Sequence, residues 1–206
     1  MIKLSNKKLF IFDFDGTIAD TSHIHEAAFQ KALAKFSNQL NFTYEEFKGM
    51  STREALTSIF KQNQLKISQS ELTRLVGIKQ RYSAEMLEKN ALLLPGFSKF
   101  YGLLKEKNKC IASLASKRSI EIVLSKFSLN DFDYIISSHE VKESKPSPEC
   151  FLKALSMYEF DASEAVIFED SKNGIEAARR ASIDCIDINV HDWHHLFSQF
   201  NLNESS

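Results

Sequence analysis

Short apolar runs of strand length alternate with helical patterns along most of the chain. Apolar residues at helical spacing separate the later runs, as at Ile120, Val123 and Phe127. Strands that alternate with helices favour a parallel sheet covered on both faces, and right-handed crossovers then favour a doubly wound topology. We therefore predict an α/β fold with a doubly wound, Rossmann-like parallel sheet. The predicted strands are Leu9–Phe12, Cys110–Ala115, Tyr134–Ile136, Ala165–Phe168 and Ile183–Ile188.

One stretch, residues 19–93, breaks this alternation because it contains helical periods only. We interpret it as a helical insertion that leaves the core after the first strand and returns at Pro95-Gly96. The predicted domains are a core of residues 1–18 and 94–206 and a helical domain of residues 19–93. The residues beyond Asn189 are interpreted as a polar tail with a few aromatic side chains.

Two acidic pairs follow predicted strands. Asp13 and Asp15 alternate after the first strand, so both carboxylates can face the same side, and Gly16 permits a sharp turn. Glu169 and Asp170 follow the strand 165–168. Because ligands of open parallel sheets bind at the carboxyl ends of the strands, we expect both pairs at one site, where Mg²⁺ would offset their repulsion. Either pair alone is also explained by turns and helix caps, in which Asp is common.

Two further side chains are candidates for binding a phosphate at this edge. Lys145 lies in a segment stiffened by two prolines, and its ammonium group could neutralise a phosphate, although an exposed loop lysine is the alternative. The hydroxyl of Ser116, where the second long strand leaves the sheet, could hold a phosphate oxygen. Ser116 could equally cap the helix that begins near Ser119, and Ser113 is the second choice for the phosphate contact.

The composition argues against several classes of protein. A net charge of −1 without a basic stripe gives no indication of nucleic-acid binding. The apolar runs are too short for a membrane span or a signal peptide, so we expect a cytoplasmic protein. The three cysteines are widely spaced without a CxxC pattern, which favours buried free thiols. The 17 phenylalanines are interpreted as core residues.

Taken in order, four of these stretches resemble the motifs of the haloacid dehalogenase superfamily. Residues 13–17 resemble its first motif, Ser116 its second, residues 145–148 its third and residues 169–174 its fourth. The second motif departs from the family pattern, because the alignment can also put Ala115 in the Ser/Thr place. The helical insertion is similar to the cap of the family's first cap class. The resemblance extends to the subgroup with beta-phosphoglucomutase and many sugar-phosphate and phosphoglycolate phosphatases.

The resemblance implies a chemical role for each motif. Asp13 would attack phosphorus to form an aspartyl-phosphate, and Asp15 would act as general acid and then as general base. Mg²⁺ would be held by Asp13, the backbone carbonyl of Asp15 and Asp170, with Glu169 bound directly or through water. Further roles fall to Lys145, which would offset phosphate charge, and to Thr17 and Ser116, which would position phosphate oxygens.

In the cap, the resemblance suggests substrate contacts for His25 and Arg53, with Lys79 a weaker candidate. For each of these residues, a solvated helix face is the alternative. The histidines His191, His194 and His195 suggest a metal site, but a polar tail is the preferred interpretation because no acidic or thiol ligand lies at suitable spacing.

We compare four functions for this sequence, of which two are disfavoured. The leading hypothesis is a Mg²⁺-dependent phosphatase, active as a monomer on a small phosphorylated metabolite such as a sugar phosphate. A phosphomutase would use the same Asp13 but needs a second phosphate contact in the cap, for which Arg53 is the candidate. A non-catalytic binding module is disfavoured by the clustered carboxylates, and a dehalogenase is disfavoured by Asp15 and Thr17, which suit phosphate chemistry.

Overall fold

A five-stranded parallel sheet lies at the centre of the computed structural model, which describes the backbone of residues 2–204 and the side chains of residues 2–200. The strands are β1 (Leu9–Phe12), β2 (Ala19–Asp20), β3 (Leu92–Leu93), β4 (Asn108–Ala112), β5 (Tyr134–Ile136), β6 (Ala165–Glu169) and β7 (Asp184–Asp187). The order of the sheet is β5-β4-β1-β6-β7, and all of its neighbouring strands are parallel. This order confirms the predicted α/β, doubly wound fold.

Helices connect the strands and cover the sheet. They are α1 (Ser22–Ala32), α2 (Thr52–Gln62), α3 (Gln69–Asn90), α4 (Phe97–Gly102), α5 (Lys117–Lys126), α6 (Glu149–Ser156), α7 (Lys172–Ala181) and α8 (Trp193–Glu204). Short 3-10 turns occur at Leu4–Asn6, Ala34–Phe36, Tyr44–Phe47 and Ala162–Glu164. None of the helices in the described part of the chain is long and apolar enough to span a membrane.

Alternate residues of β1 belong to two different cores, one on each face of the sheet. Phe10 and Phe12 pack in the first core, whereas Leu9 and Ile11 pack in the second. All four are fully buried because helices cover both faces. Much of the first core is aromatic, so phenylalanine fills core positions as predicted.

Between β2 and β3 the chain forms α1, α2 and α3, and these helices bury an apolar cluster of their own around Leu56 and Leu75. β2 and β3 pair as a short antiparallel ribbon where the chain leaves and re-enters the core. The helical pattern of residues 19–93 predicts such a separate cluster, formed by helices alone. The division into domains at residues 18/19 and 93/94 stays a prediction.

The segment beyond Asn189 is not only a polar tail, and here the structure corrects the sequence interpretation. Residues from Trp193 onward form α8, and the side chains of Trp193, Leu196 and Phe200 are buried in the first core. Their spacing of three and four residues is that of one helix face. The cysteines are free thiols, with Cys110 and Cys150 buried and Cys185 half-buried, which agrees with the expectation only for the first two.

Candidate active site

The two acidic pairs meet where β1 and β6 end. The backbone N–H of Asp13 donates to the carbonyl of Phe168 at 2.9 Å, which continues the pairing of the two strands beyond β1. Carboxylate oxygens of Asp13, Glu169 and Asp170 lie within 4.8 Å of one another. Such a group of hard oxygen donors is suited to a divalent cation.

A glycine at position 16 allows this convergence. Gly16 has a φ of +83°, a conformation that other residues adopt only with strain. A Cβ atom at this position would also collide with the carboxylate of Asp170. The Gly in the first acidic motif therefore serves both the turn after β1 and the close approach of the second acidic pair.

Lys145 joins the two pairs from a third loop. Its Nζ atom lies 2.5 Å from Oδ1 of Asp13 and 2.7 Å from Oε2 of Glu169, and its side chain is almost completely buried. Burial alone would lower the pKa of Lys145, but the charges of Asp13 and Glu169 outweigh it and hold the pKa above its usual value. Burial and the charge of Glu169 raise the pKa of Asp13. Removing Lys145 would leave Asp13 and Glu169 close together without a counter-charge.

Glu169 is held on both of its carboxylate oxygens. Oε2 accepts from Lys145, and Oε1 accepts from the backbone N–H and hydroxyl of Ser171 at 3.0 and 2.9 Å and from the N–H of Asp170 at 3.1 Å. The hydroxyl of Ser171 also caps α7 by accepting from the N–H of Gly174. Glu169 therefore fixes Lys145 and the start of α7, while Asp13 and Asp170 keep more of their oxygen atoms available.

The carboxylate of Asp170 is flanked by a threonine and a lysine. The hydroxyl of Thr17 donates to Oδ1 at 3.3 Å, and Nζ of Lys48 lies 3.9 Å from Oδ2. Burial, together with the charge of Glu169, raises the pKa of Asp170 to about 7. The protein alone therefore stabilises the ionised form of Asp170 poorly.

Asp15 is connected to a buried relay from the helical insertion. Its Oδ1 accepts from the hydroxyl of Thr21 at 2.6 Å and lies 2.9 Å from Nε2 of His25. On the other side of the ring, Nδ1 of His25 lies 2.9 Å from Nζ of Lys79 and 3.3 Å from the hydroxyl of Ser83.

These contacts assign the protonation states of the relay. Burial lowers the pKa of His25 and lowers the pKa of Lys79 to about 8. A neutral His25 that donates from Nε2 to Asp15 can accept from Lys79 at Nδ1, so this tautomer satisfies both contacts. Burial would raise the pKa of Asp15, but His25 and Thr21 outweigh it and lower the pKa.

A cavity of about 50 Å³ lies between the acidic cluster and the helical insertion. Its walls include Asp13, Asp15 and Asp170 from the sheet edge and His25 and Lys79 from the insertion. This volume accommodates a few water molecules and is far below the roughly 300–1,000 Å³ of pockets that enclose a whole ligand. The space between the acidic cluster and the insertion is therefore narrow in this structure.

Of three further predicted contacts, Arg53, Thr17 and Ser116, only Ser116 lines the cavity. The guanidinium group of Arg53 is exposed on α2, where it contacts Gln69 and Thr73 instead of the cavity. Thr17 is fully buried on Asp170 and does not line the cavity. Ser116 lines the cavity, but its hydroxyl caps α5 by accepting from the N–H of Ser119 at 3.2 Å, which is the alternative that the sequence left open.

The sequence interpretation missed several cavity residues, among them a lysine and a tyrosine. Lys48 and Tyr44 come from the segment between α1 and α2, and both face the acidic cluster from the insertion. Burial raises the pKa of the Tyr44 hydroxyl, with the charges of Asp15 and Asp170 adding to the effect. Neither residue belongs to a motif or a periodic pattern, so the sequence carried no signal for them.

The histidines near the C-terminus form no metal site in the part of the chain that the structure describes, where the acidic cluster is the one candidate group. The rings of His191 and His195 stack at 5.6 Å. His194 and His195 lie on α8, and the preference for a non-metal role of the three histidines stays a prediction.

The fold and the acidic cluster together can be compared with known proteins. The sequence model of the family described as haloacid dehalogenase-like hydrolase matches residues 10–188. The protein belongs to this family of hydrolases, which confirms the family that the sequence resemblance indicated.

Individual relatives include named phosphatases. The chain is 29% identical to a phosphorylated carbohydrates phosphatase of Thermotoga maritima over 85% of this chain and 82% of the relative. It is 27% identical to the fructose-1-phosphate phosphatase YqaB of Escherichia coli, over 87% of this chain and 95% of the relative. Among solved structures, beta-phosphoglucomutase of Clostridium difficile superposes with a TM-score of 0.79 at 24% identity, covering 97% of this chain and 100% of that one. This last similarity concerns the fold.

Proposed function

We propose that this protein is a Mg²⁺-dependent phosphatase that cleaves the phosphate monoester of a small, sugar-like metabolite through an aspartyl-phosphate on Asp13. One observation carries the proposal: Asp13, Glu169 and Asp170 line a small cavity at the carboxyl edge of the sheet, and Lys145 binds Asp13 and Glu169 from behind it. The names of the phosphatase relatives support the same class of substrate. The helical insertion of residues 19–93 would act as the cap that covers this cavity.

Asp13 has the surroundings that a carboxylate nucleophile needs. Lys145 binds Oδ1, whereas Oδ2 accepts no hydrogen bond from the described residues and remains available for attack on phosphorus. The counter-charge of Lys145 favours the ionised form of Asp13 against the effect of burial. Displacing the alcohol from phosphorus and then displacing Asp13 with water divides one difficult step into two easier ones.

Asp15 would exchange protons with the leaving group and with water. Its lowered pKa keeps Asp15 ionised, so the carboxylate is able to accept a proton from the attacking water. A phosphate dianion bound beside it would raise the pKa of Asp15. A proton could then pass from Lys79 to Nδ1 of His25 while Nε2 of His25 gives its proton to Asp15, which protonates the leaving oxygen. The contact of His25 with Lys79 keeps the ring oriented for this transfer.

The acidic cluster fits Mg²⁺. Its donors are carboxylate oxygens, and the poorly stabilised charge of Asp170 calls for a cation. Asp13, Asp170 and the backbone carbonyl of Asp15 would hold the ion, with Glu169 positioning its neighbours. When bound, Mg²⁺ supplies charge neutralisation for the phosphoryl group.

The pKa of Asp170 predicts a pH-dependent stabilisation by Mg²⁺. The pKa of the folded carboxyl is about 7, whereas an unperturbed Asp has a pKa of 3.8. The folded state therefore binds more protons in this window, and stability from this group falls as the pH rises, by a total of the order of 4 kcal/mol. Mg²⁺ removes this penalty, so we expect it to raise the melting temperature by several degrees more at about pH 8 than at about pH 5.5.

Calorimetric melting of the wild type and of Asp170→Asn, each with and without Mg²⁺, checks this expectation. The neutral amide should abolish most of the Mg²⁺ effect at both pH values, because it removes the charge that the ion compensates. A Mg²⁺ effect that is equal at the two pH values in the wild type would contradict the assignment.

The position of Arg53 favours the phosphatase over the phosphomutase. A mutase must hold a second phosphate in the cap, and Arg53 was the candidate for that contact. Its guanidinium instead contacts Gln69 and Thr73 on the exposed side of the insertion. Lys48 and Lys79 do face the cavity, but Lys48 already pairs with Glu45 and Lys79 already contacts His25.

A phosphate-release screen over sugar phosphates, nucleotides and phosphoglycolate, with and without Mg²⁺, tests the proposed function. We expect Mg²⁺-dependent release from at least one monophosphate. Arg53→Ala should leave its kcat/KM within about twofold, whereas His25→Asn should lower kcat by about 10² because it breaks the proton relay to Asp15. Isomerisation that is lost in Arg53→Ala, without release of phosphate, would favour the mutase instead.

A further inference from the structure

The only tryptophan of the sequence lies directly beneath the acidic site. Trp193 is 1% exposed, and its ring packs against Phe12 and Phe168 at centroid distances of 5.9 and 5.1 Å. Phe12 immediately precedes Asp13, and Phe168 immediately precedes Glu169. The ring therefore supports the two strand ends that carry the acidic residues.

The indole N–H of Trp193 makes one specific contact with the loop after β1. It donates to the backbone carbonyl of Thr17 at 2.8 Å. Thr17 is itself fully buried, and its hydroxyl donates to Asp170 at 3.3 Å. Two hydrogen bonds thus connect α8 to a carboxylate of the acidic cluster through a single residue.

The first turn of α8 also lies against the segment in which the chain returns from the insertion to the core. Gly96 has a φ of +88°, and a Cβ atom there would lie 3.0 Å from the backbone nitrogen of His194 and 3.1 Å from Cβ of Trp193. The return segment is tied to the outgoing one by the N–H of Leu94, which donates to the carbonyl of Ile18 at 2.9 Å. The start of α8 therefore contacts both connections between the sheet and the insertion.

We propose that Trp193 is a positioning residue for the acidic site: its indole N–H fixes the loop of residues 15–19 and, through Thr17, the carboxylate of Asp170. If Trp193 only filled space in the core, its aromatic ring would suffice and its N–H would have no role. The ring is held by aromatic neighbours on several sides, so the direction of its N–H is fixed, and a buried indole N–H needs a partner. The inference rests on the proposed function in taking Asp170 as a Mg²⁺ ligand.

Trp193→Phe separates the two roles because it keeps an aromatic ring and removes the N–H. The carbonyl of Thr17 then lacks its partner, and we expect Mg²⁺ to bind about tenfold more weakly, as is common when a partner behind a metal ligand is lost. Hydrogen exchange at the amides of Ile18 and Ala19, which donate to the carbonyl of Phe14, should become about tenfold faster without metal.

Phe200→Leu is the matched control. Phe200 is 1% exposed on the same helix and packs against Phe10 and Phe100, at ring distances of 6.3 and 6.1 Å. Shortening it should destabilise the fold, while Mg²⁺ affinity and exchange in the loop stay as in the wild type, in each case after correction for global stability.

Titration calorimetry with Mg²⁺ and exchange followed by mass spectrometry give the outcome. Unchanged Mg²⁺ affinity in Trp193→Phe, or equal weakening in Phe200→Leu, would overturn the positioning role and leave the proposed function intact. If the wild type binds no Mg²⁺, the proposed function fails, and the exchange rates then decide whether Trp193 holds the loop.

Discussion

Replacing Lys145 with Met is expected to lower phosphate release by about a thousandfold and to destabilise the fold by roughly 3–5 kcal/mol. Methionine keeps the length of the side chain but leaves Asp13 and Glu169 without the ammonium group that binds both of them. Without Lys145, burial and the neighbouring Glu169 would raise the pKa of Asp13 further, so a larger share of Asp13 would be protonated. A protonated carboxyl is a poor nucleophile, so activity should fall more than the loss of stability alone explains.

Lys109→Met provides a matched control for this prediction. Lys109 is also 2% exposed, but its Nζ atom binds Asp131 at 3.0 Å and the carbonyl of Leu104 at 2.9 Å. It lies near the start of β4, whereas the acidic cluster lies at the carboxyl ends of the strands. Its replacement should lower stability in chemical denaturation while kcat stays close to the wild-type value. Equal loss of kcat in both variants would mean that Lys145 acts through stability and not through the chemistry at Asp13.

The sheet and its acidic edge were predictable because strand topology converts positions in the sequence into positions in space. Once strands end at Phe12 and Phe168 and lie side by side in a parallel sheet, the acids that follow them must meet. The fold class follows equally from alternation of strands and helices. The acidic cluster is therefore determined by short, local patterns and one general rule of sheet geometry.

Orientation around a helix was harder to predict, as Arg53 illustrates. Ser51 caps α2, so Thr52 is the first helical residue and lines the cavity. One residue further turns the side chain by about 100°, which places Arg53 on the exposed side. A motif that marks the right segment therefore does not identify which of its residues faces the site.

The contacts that Lys48 and Glu54 of the insertion make with the core could not be predicted from the sequence. Lys48 approaches Asp170, and the side-chain amide of Asn173 donates to the carbonyl of Lys48 at 3.1 Å. The hydroxyl of Ser144, next to Lys145, is likewise bound by the carboxylate of Glu54. These contacts depend on how two separately packed clusters meet, and no periodicity encodes that. α8, in contrast, carried a readable signal in the spacing of Trp193, Leu196 and Phe200.

Asp13→Asn is expected to lower phosphate release by at least about 10⁴-fold, because the amide cannot form the proposed covalent intermediate. Asparagine has the same shape and can still accept from Lys145, so the fold and the cavity should be retained. Removing one negative charge from the cluster should also relieve its repulsion, and we expect a melting temperature equal to or above that of the wild type. Phosphate release under saturating Mg²⁺, together with thermal melting, measures both effects.

The most direct test of the account is to trap the phosphoryl group on the protein. Wild-type enzyme is mixed with Mg²⁺ and its best monophosphate substrate, quenched in acid during turnover, digested and examined by mass spectrometry. We predict that the peptide containing Asp13 gains the mass of one phosphoryl group, and that Asp13→Asn shows no such gain. Sustained phosphate release by Asp13→Asn, or a phosphoryl group found on a different residue of the wild type, would contradict the account.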